Sequence, residues 1–204
     1  TTDTLDNAVR RVLRTKLAAG LLDDYPAGDP SAVCSQAHRD LALEVAQKST
    51  ILLKNEDAIL PLDADEVDAI ALVGPSANVA RLDGYGSSVV DPCYAVTPRQ
   101  GIAHRAPGVT IYFAAGCDIN SPDISGFAAA ITAAKSSDVV VFVGGLDDTQ
   151  EGEEVDRVSG SVQLPGQQQA LINELAAVNP NVIVVLESGG IVALEQCVDS
   201  IKGL

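Results

Sequence analysis

The chain has 204 residues, of which 47% are hydrophobic and only 3% aromatic, and its formal net charge is −15. That length and apolar content allow one sizeable domain with a core of Val, Ile, Leu and Ala, and they exclude a disordered chain. The negative field repels a phosphate backbone, which excludes nucleic acid as a partner, and no apolar run approaches the roughly 20 residues of a membrane-spanning helix.

Leu5, Val9, Val12, Leu13 and Leu17 recur at helical spacing and predict a first amphipathic helix, with Asp3 able to cap its start and Gly20 its end. Asp23-Asp24-Tyr25-Pro26-Ala27-Gly28-Asp29-Pro30 has linker chemistry, because Pro26 and Pro30 break any helix. Residues 1–32 are therefore expected to belong with an upstream domain, and residues 33–204 to form the main one. A second helix from about Ala37 carries Leu41, Ala42, Val45 and Ala46 on one side, and a short strand, Thr50-Ile51-Leu52-Leu53, follows it. The next strand, Ala69-Ile70-Ala71-Leu72-Val73, ends at Gly74-Pro75. Thr97-Pro98 opens a short helix and precedes the strand Val109-Thr110-Ile111-Tyr112-Phe113. An Ala-rich helix is predicted over residues 124–135, with Phe127, Ile131 and Ala134 inward. The strand Val139-Val140-Val141-Phe142-Val143 leads into a long polar loop. Pro165 then starts a helix bearing Leu171, Ile172, Leu175 and Val178, and Val182-Ile183-Val184-Val185-Leu186 is the last strand.

The strands are continuous β-branched runs, not alternating ones, which is what burial on both faces requires. Repeated strand–helix units give an α/β fold with a mostly parallel sheet sandwiched by helices. Ligands of such sheets lie beyond the carboxyl ends of the strands, so the loops after Val73, Val143 and Leu186 are the places to look.

Gly84-Tyr85-Gly86-Ser87-Ser88-Val89 approximates a dinucleotide fingerprint, but Val89 replaces the third glycine and the loop lies well beyond its strand. No nucleotide cofactor is expected. The segment reads either as a hydroxyl-bearing substrate loop, with Gly86, Ser87 and Ser88 as the binding residues, or as a plain surface turn. Residues 144–157 concentrate Asp147, Asp148, Glu151, Glu153, Glu154 and Asp156. Crowded carboxylates raise one another's pKa, which suits a general acid; a merely solvated acidic loop has the same composition, and calcium-ligand spacing is missing. Arg157 is expected to pair with Asp156 or a neighbouring Glu. His38 and His104 read as helix-surface residues, and no G-x-S-x-G elbow is present.

The chain begins Thr1-Thr2-Asp3, lacks Met and ends Ile201-Lys202-Gly203-Leu204, which reads as another strand beginning. It is expected to be one part of a larger enzyme, so a missing signal peptide carries no information. Cys34, Cys93, Cys117 and Cys197 show no metal-ligand spacing. They read either as free buried thiols or as holding one disulfide; in the second case Cys93 and Cys117 are expected to meet at one sheet edge and to mark a secreted or periplasmic protein.

Four stretches resemble the second domain of family 3 glycoside hydrolases, the β-glucosidase and β-xylosidase group. They are Ala8-Val9-Arg10-Arg11-Val12-Leu13-Arg14 with Gly20-Leu21-Leu22-Asp23; Leu52-Leu53-Lys54-Asn55 with Leu60-Pro61-Leu62; Leu72-Val73-Gly74-Pro75 with Gly86-Ser87-Ser88 and Thr97-Pro98-Arg99; and Gly145-Leu146-Asp147 through Glu153, Asp156-Arg157 and Leu164-Pro165-Gly166-Gln167-Gln168. The resemblance implies a barrel carrying a nucleophilic Asp, followed by a six-stranded α/β sandwich; the barrel and the end of the sandwich are absent from this stretch. It implies a retaining mechanism, no cofactor, and as partners the upstream barrel and a β-linked oligosaccharide or aryl glycoside. The family's acid/base lies in an "E-G-x-D-R"-like loop, which here matches Glu153, with Glu154 where Gly is usual. Glu151, two residues earlier, leaves that assignment open. The chain alone is expected to be inactive. The competing readings are a sandwich that only binds sugar or buttresses the barrel, and an unrelated flavodoxin-like domain.

Overall fold

The computed structural model describes residues 1–23, 27–82, 86–87, 89–157 and 161–204. The chain divides into two compact units, Thr1–Thr50 and Ile51–Leu204. In the first, helix α1 (Thr2–Ala18) is capped by Thr1, whose Oγ1 accepts from the Thr4 N–H at 3.3 Å, so the cap lies ahead of Asp3. At its other end Gly20 N–H donates to the Leu17 carbonyl and Leu21 N–H to that of Lys16. These are the paired bonds of a Schellman cap. Helix α2 (Gln36–Ser49) starts on Ser35, whose hydroxyl accepts from the His38 N–H. Neither helix buries a residue, and Leu5, Val9, Leu17, Leu41 and Val45 are all exposed.

The second unit is α/β. Its strands β1 (Ala69–Val73), β2 (Thr110–Ala114), β3 (Val139–Gly145) and β4 (Val182–Glu187) form a parallel sheet in the order β2-β1-β3-β4. The side-chain period of two then distributes each continuous apolar run between two cores. Ala71, Val73, Val140, Phe142, Val182 and Val184 face α4 (Phe127–Lys135) and α5 (Gln168–Val178). Ile70, Leu72, Val141, Val143 and Ile183 face the other way, with Ile59, Leu60, Leu62 and Ile102 packed against them; Ile102 lies on α3 (Pro98–Arg105). Phe142 and Leu72 are fully buried, and such side chains contribute about 1.5–3 kcal/mol each.

α3 begins as its sequence signals: Thr97 caps it, Gln100 closes the capping box, and Pro98 occupies the first turn. On α4 the inward face is Ala130, Ala133 and Ala134, with Phe127 beside them; Ile131 stands outside the core cluster, and small residues let the helix sit close to the sheet. α5 begins at Gln168 because Gly166, at φ +62, interposes a turn after Pro165.

The expected strand at residues 50–53 does not form. Leu53 and Lys54 N–H groups both donate to the Leu204 carbonyl, and Leu204 N–H returns to Lys54, leaving one bridge between Asn55 and Gly203. The contact is confined to residues 53–56, because the chain turns at Glu56–Ala58; on its other side the 202–204 backbone joins β4, Val184 N–H donating to Gly203 and Lys202 N–H to Val182.

The cysteine expectation is also corrected. Cys117 is a free, buried thiol, pushed up to about 11 by burial and then by Asp118. Cys93 is disulfide-bonded, as is Cys34, while Cys197 is free. Cys117 lies in the core cluster with α4 and α5, and the sulfur of Cys93 is engaged elsewhere.

Candidate active site

β3 extends two residues past its valines, to Gly144 and Gly145, and the second of these shapes the site. Gly145 adopts φ +142, and a Cβ there would overlap the Glu187 backbone. The glycine lets the end of β3 lie against β4 before the chain turns away. Its peptide is gripped by buried Gln168, whose Oε1 accepts from Gly145 N–H at 2.8 Å and whose Nε2 donates to Gly145 O at 2.9 Å and Ile119 O at 3.0 Å. Leu146 is buried, and Asp147 then starts the loop. One carboxylate oxygen of Asp147 accepts from Thr149 N–H and Oγ1, at 3.1 and 2.6 Å. This side-chain-closed turn is the one Asp favours.

The loop meets the segments after β1 and β4 around a cavity of about 760 Å³ at the carboxyl edge of the sheet. Asp147, Asp148, Glu151, Asp156 and Glu187 line it, together with one cation, Arg81. Arg81 joins three strand ends: its Nη1 lies 3.5 Å from Asp147, its Nε donates to the buried Ser76 Oγ at 3.2 Å, and its charge acts on Glu187. Burial raises the Glu187 pKa, opposed by the Ser76 hydrogen bond and Arg81, and its Oε2 is buried without a partner. Neither Arg81 nor Glu187 stood out in the sequence. The available signal was position, a carboxylate closing a parallel strand and a cation in the loop beside it. Among the described residues no cluster of His, Cys, Asp or Glu is placed to hold a metal ion.

The two candidate glutamates point to different neighbours. Glu151 Oε1 accepts from the Gly189 N–H, and its Oε2 lies near Gly190, so it ties the β3 loop to the β4 loop. Arg157 does the same from the other side: its Nη2 donates to Ile191 O and its Nη1 to Ser161 O. That corrects the expected pairing of Arg157 with Asp156 or a neighbouring Glu; carbonyls at Ser161 and Ile191 take its place. Glu153 lies between these two struts and is exposed. Its Oε2 accepts from Ser87 N–H at 2.6 Å and from Ser87 Oγ at 2.5 Å. Gly86, Ser87 and Glu153 are thus brought together, whereas Ser88 lies outside the described residues. The expectation that crowding raises the loop carboxylates fails at Glu153. The Ser87 hydroxyl, followed by the Ser87 N–H, lowers its pKa, and burial opposes this only weakly.

Comparison with known proteins gives this geometry its context. Residues 50–204 match the Glycosyl hydrolase family 3 C-terminal domain. Probable beta-D-xylosidase 6 of Arabidopsis thaliana is 36% identical over 197 residues, covering 91% of this chain and 24% of the relative. A beta-xylosidase of Formosa agariphila is 34% identical over 212 residues, covering 98% of this chain and 29% of its own. The crystal structure of a GH3 beta-glucosidase from Bifidobacterium adolescentis superposes with a TM-score of 0.73 at 33% identity, covering 89% of this chain and 25% of that one. The chain spans about a quarter of the length of these curated relatives.

Proposed function

Because the chain belongs to glycosyl hydrolase family 3 and supplies its C-terminal domain, we propose that Glu153 is the acid/base of a retaining exo-β-glycosidase whose nucleophile stands on a barrel domain. The observation that carries this is the placement of Glu153. It sits on the loop after β3, braced on one side by Glu151 and on the other by Arg157, with its carboxylate exposed and held in one pose by Ser87. Glu151 is the less exposed of the two and spans the β3 and β4 loops through the Gly189 N–H, which favours Glu153 as the presented carboxylate.

In the first step Glu153, protonated, gives its proton to the glycosidic oxygen as the barrel carboxylate takes the anomeric carbon and the aglycone leaves. In the second, the Glu153 carboxylate removes a proton from water, whose oxygen displaces the barrel carboxylate. Ser87 favours the ionised form of Glu153 and so suits the second step. The first step needs the opposite bias, which a nucleophilic carboxylate about 5–5.5 Å away and the exclusion of water by a docked barrel supply. The β-xylosidase names of the two curated relatives favour a β-xyloside over a β-glucoside as substrate.

The test is Glu153→Gln in the full-length enzyme. Hydrolysis of unactivated glycosides should fall by about 10²–10⁴-fold, the range of acid–base catalysis. Aryl glycosides with acidic phenols should still glycosylate the enzyme, and azide, which needs no deprotonation, should restore turnover as a glycosyl azide. Full activity of that variant on unactivated substrates would leave the domain a binding and buttressing role.

A further inference from the structure

The Gly86–Ser87 turn follows β1 in the chain and does more than border the site. Both polar hydrogens of Ser87 that can point at a ligand, its N–H and its hydroxyl, converge on the same carboxylate oxygen of Glu153. Gly86, at φ +98, makes the approach possible: a Cβ there would overlap the Cβ and Oε2 of Glu153. A serine whose hydroxyl hydrogen is spent in this way cannot donate it to a sugar hydroxyl.

We propose that Gly86 and Ser87 form a cradle for the Glu153 carboxylate, so that Ser87 is a positioning residue that sets the pose and proton affinity of the acid/base. The proposal rests on the reading of Glu153 given above and assigns Ser87 a different task from the substrate binding expected of its loop. Among the described residues, Ser87 bonds Glu153 and Gly86 lies against it, while Glu153 itself stands on the loop after β3. Among the described residues the ionisable groups on that loop are Asp147, Asp148, Glu151, Glu154, Asp156 and Arg157. None of them contributes to the lowering at Glu153, both causes of which are bonds from Ser87. A donor that favours the carboxylate disfavours the acid, so the cradle moderates the protonating step and assists the step in which Glu153 takes a proton from water.

Two measurements test this. In the 204-residue chain, the Glu153 carboxyl carbon is titrated by NMR in the wild type, Ser87→Ala and Ser87→Thr. Ser87→Ala should titrate at higher pH than the wild type, and Ser87→Thr, which keeps the hydroxyl, should follow the wild type. In the full-length enzyme, the basic limb of kcat/KM for an unactivated glycoside should move to higher pH in Ser87→Ala, with KM little changed. Superimposed titrations, or a raised KM with the limb unmoved, would overturn the proposal, the latter by showing that Ser87 holds the sugar. Glu153→Gln measured alongside separates the two readings. If it loses activity with azide rescue while Ser87→Ala leaves the limb in place, only the cradle fails. If it keeps its activity, the acid/base assignment fails and the cradle with it.

Discussion

Glu153, on the loop after β3, and Glu187, at the end of β4, are pushed in opposite directions, because one is exposed beneath two donors and the other is desolvated with an oxygen left unpaired. For Glu187, burial outweighs the Ser76 hydrogen bond and the Arg81 charge. The native state therefore keeps the proton to higher pH than the unfolded chain does. Stability present below the unfolded value should be lost as pH rises through the native one. Glu187→Gln holds no titrating proton, so its stability should not fall across that interval, and at neutral pH it should match or exceed the wild type. Denaturant unfolding at a series of pH values checks this; a wild-type curve parallel to that of the variant would refute it. Only packing separates the two residues. In the sequence Glu187 is one acidic residue after a valine run, and nothing local says that Ser76 and Arg81 will enclose it.

The elements that were legible are those whose pattern fits only one burial state. β1, β3 and β4 are unbroken apolar runs, and each proves to be divided between two cores by alternate residues. Residues 51–53 are also apolar, but of these only Leu53 bonds the backbone at 202–204, and the chain turns away at Glu56–Ala58 before a ladder can extend. Gln168 shows how an element end is held by a polar side chain that no periodicity reveals. It is fully buried at the start of α5 and satisfies both polar groups of Gly145. Gln168→Leu keeps the volume but orphans those groups and the Ile119 carbonyl, and should destabilise the chain by about 2–3 kcal/mol in denaturant unfolding. In the full-length enzyme the same change should lower kcat, since Gly145 is the root of the Glu153 loop. A loss below 0.5 kcal/mol would show that water replaces the amide.

For the whole molecule, the division of labour in the proposed mechanism has a direct consequence. Retaining cleavage needs two carboxyl groups across one bond, and under the proposal this chain supplies the proton donor while the barrel supplies the nucleophile. The purified 204-residue chain should therefore show no turnover of aryl β-xylosides or β-glucosides. Hydrolysis at rates of the full-length enzyme, with contaminants excluded, would overturn the two-domain mechanism.

The sequence by itself determined the α/β class, the parallel sheet, the order of its elements and membership of the family, because continuous β-branched runs between helical repeats admit few packings and the motif order spans most of the chain. It also singled out the loop that bears Glu151 and Glu153. The tertiary structure decided what those residues touch. Whether a glutamate is a strut or a presented carboxylate depends on which backbone lies within reach: Gly189 for Glu151, from a segment 38 positions away, and Ser87 for Glu153, 66 positions away. The same holds for Cys117, placed in the core by α4 and α5, and for Arg81, which gathers three strand ends. Hydrogen bonding and burial across such separations are set by how the strands stack, and neither composition nor spacing records them.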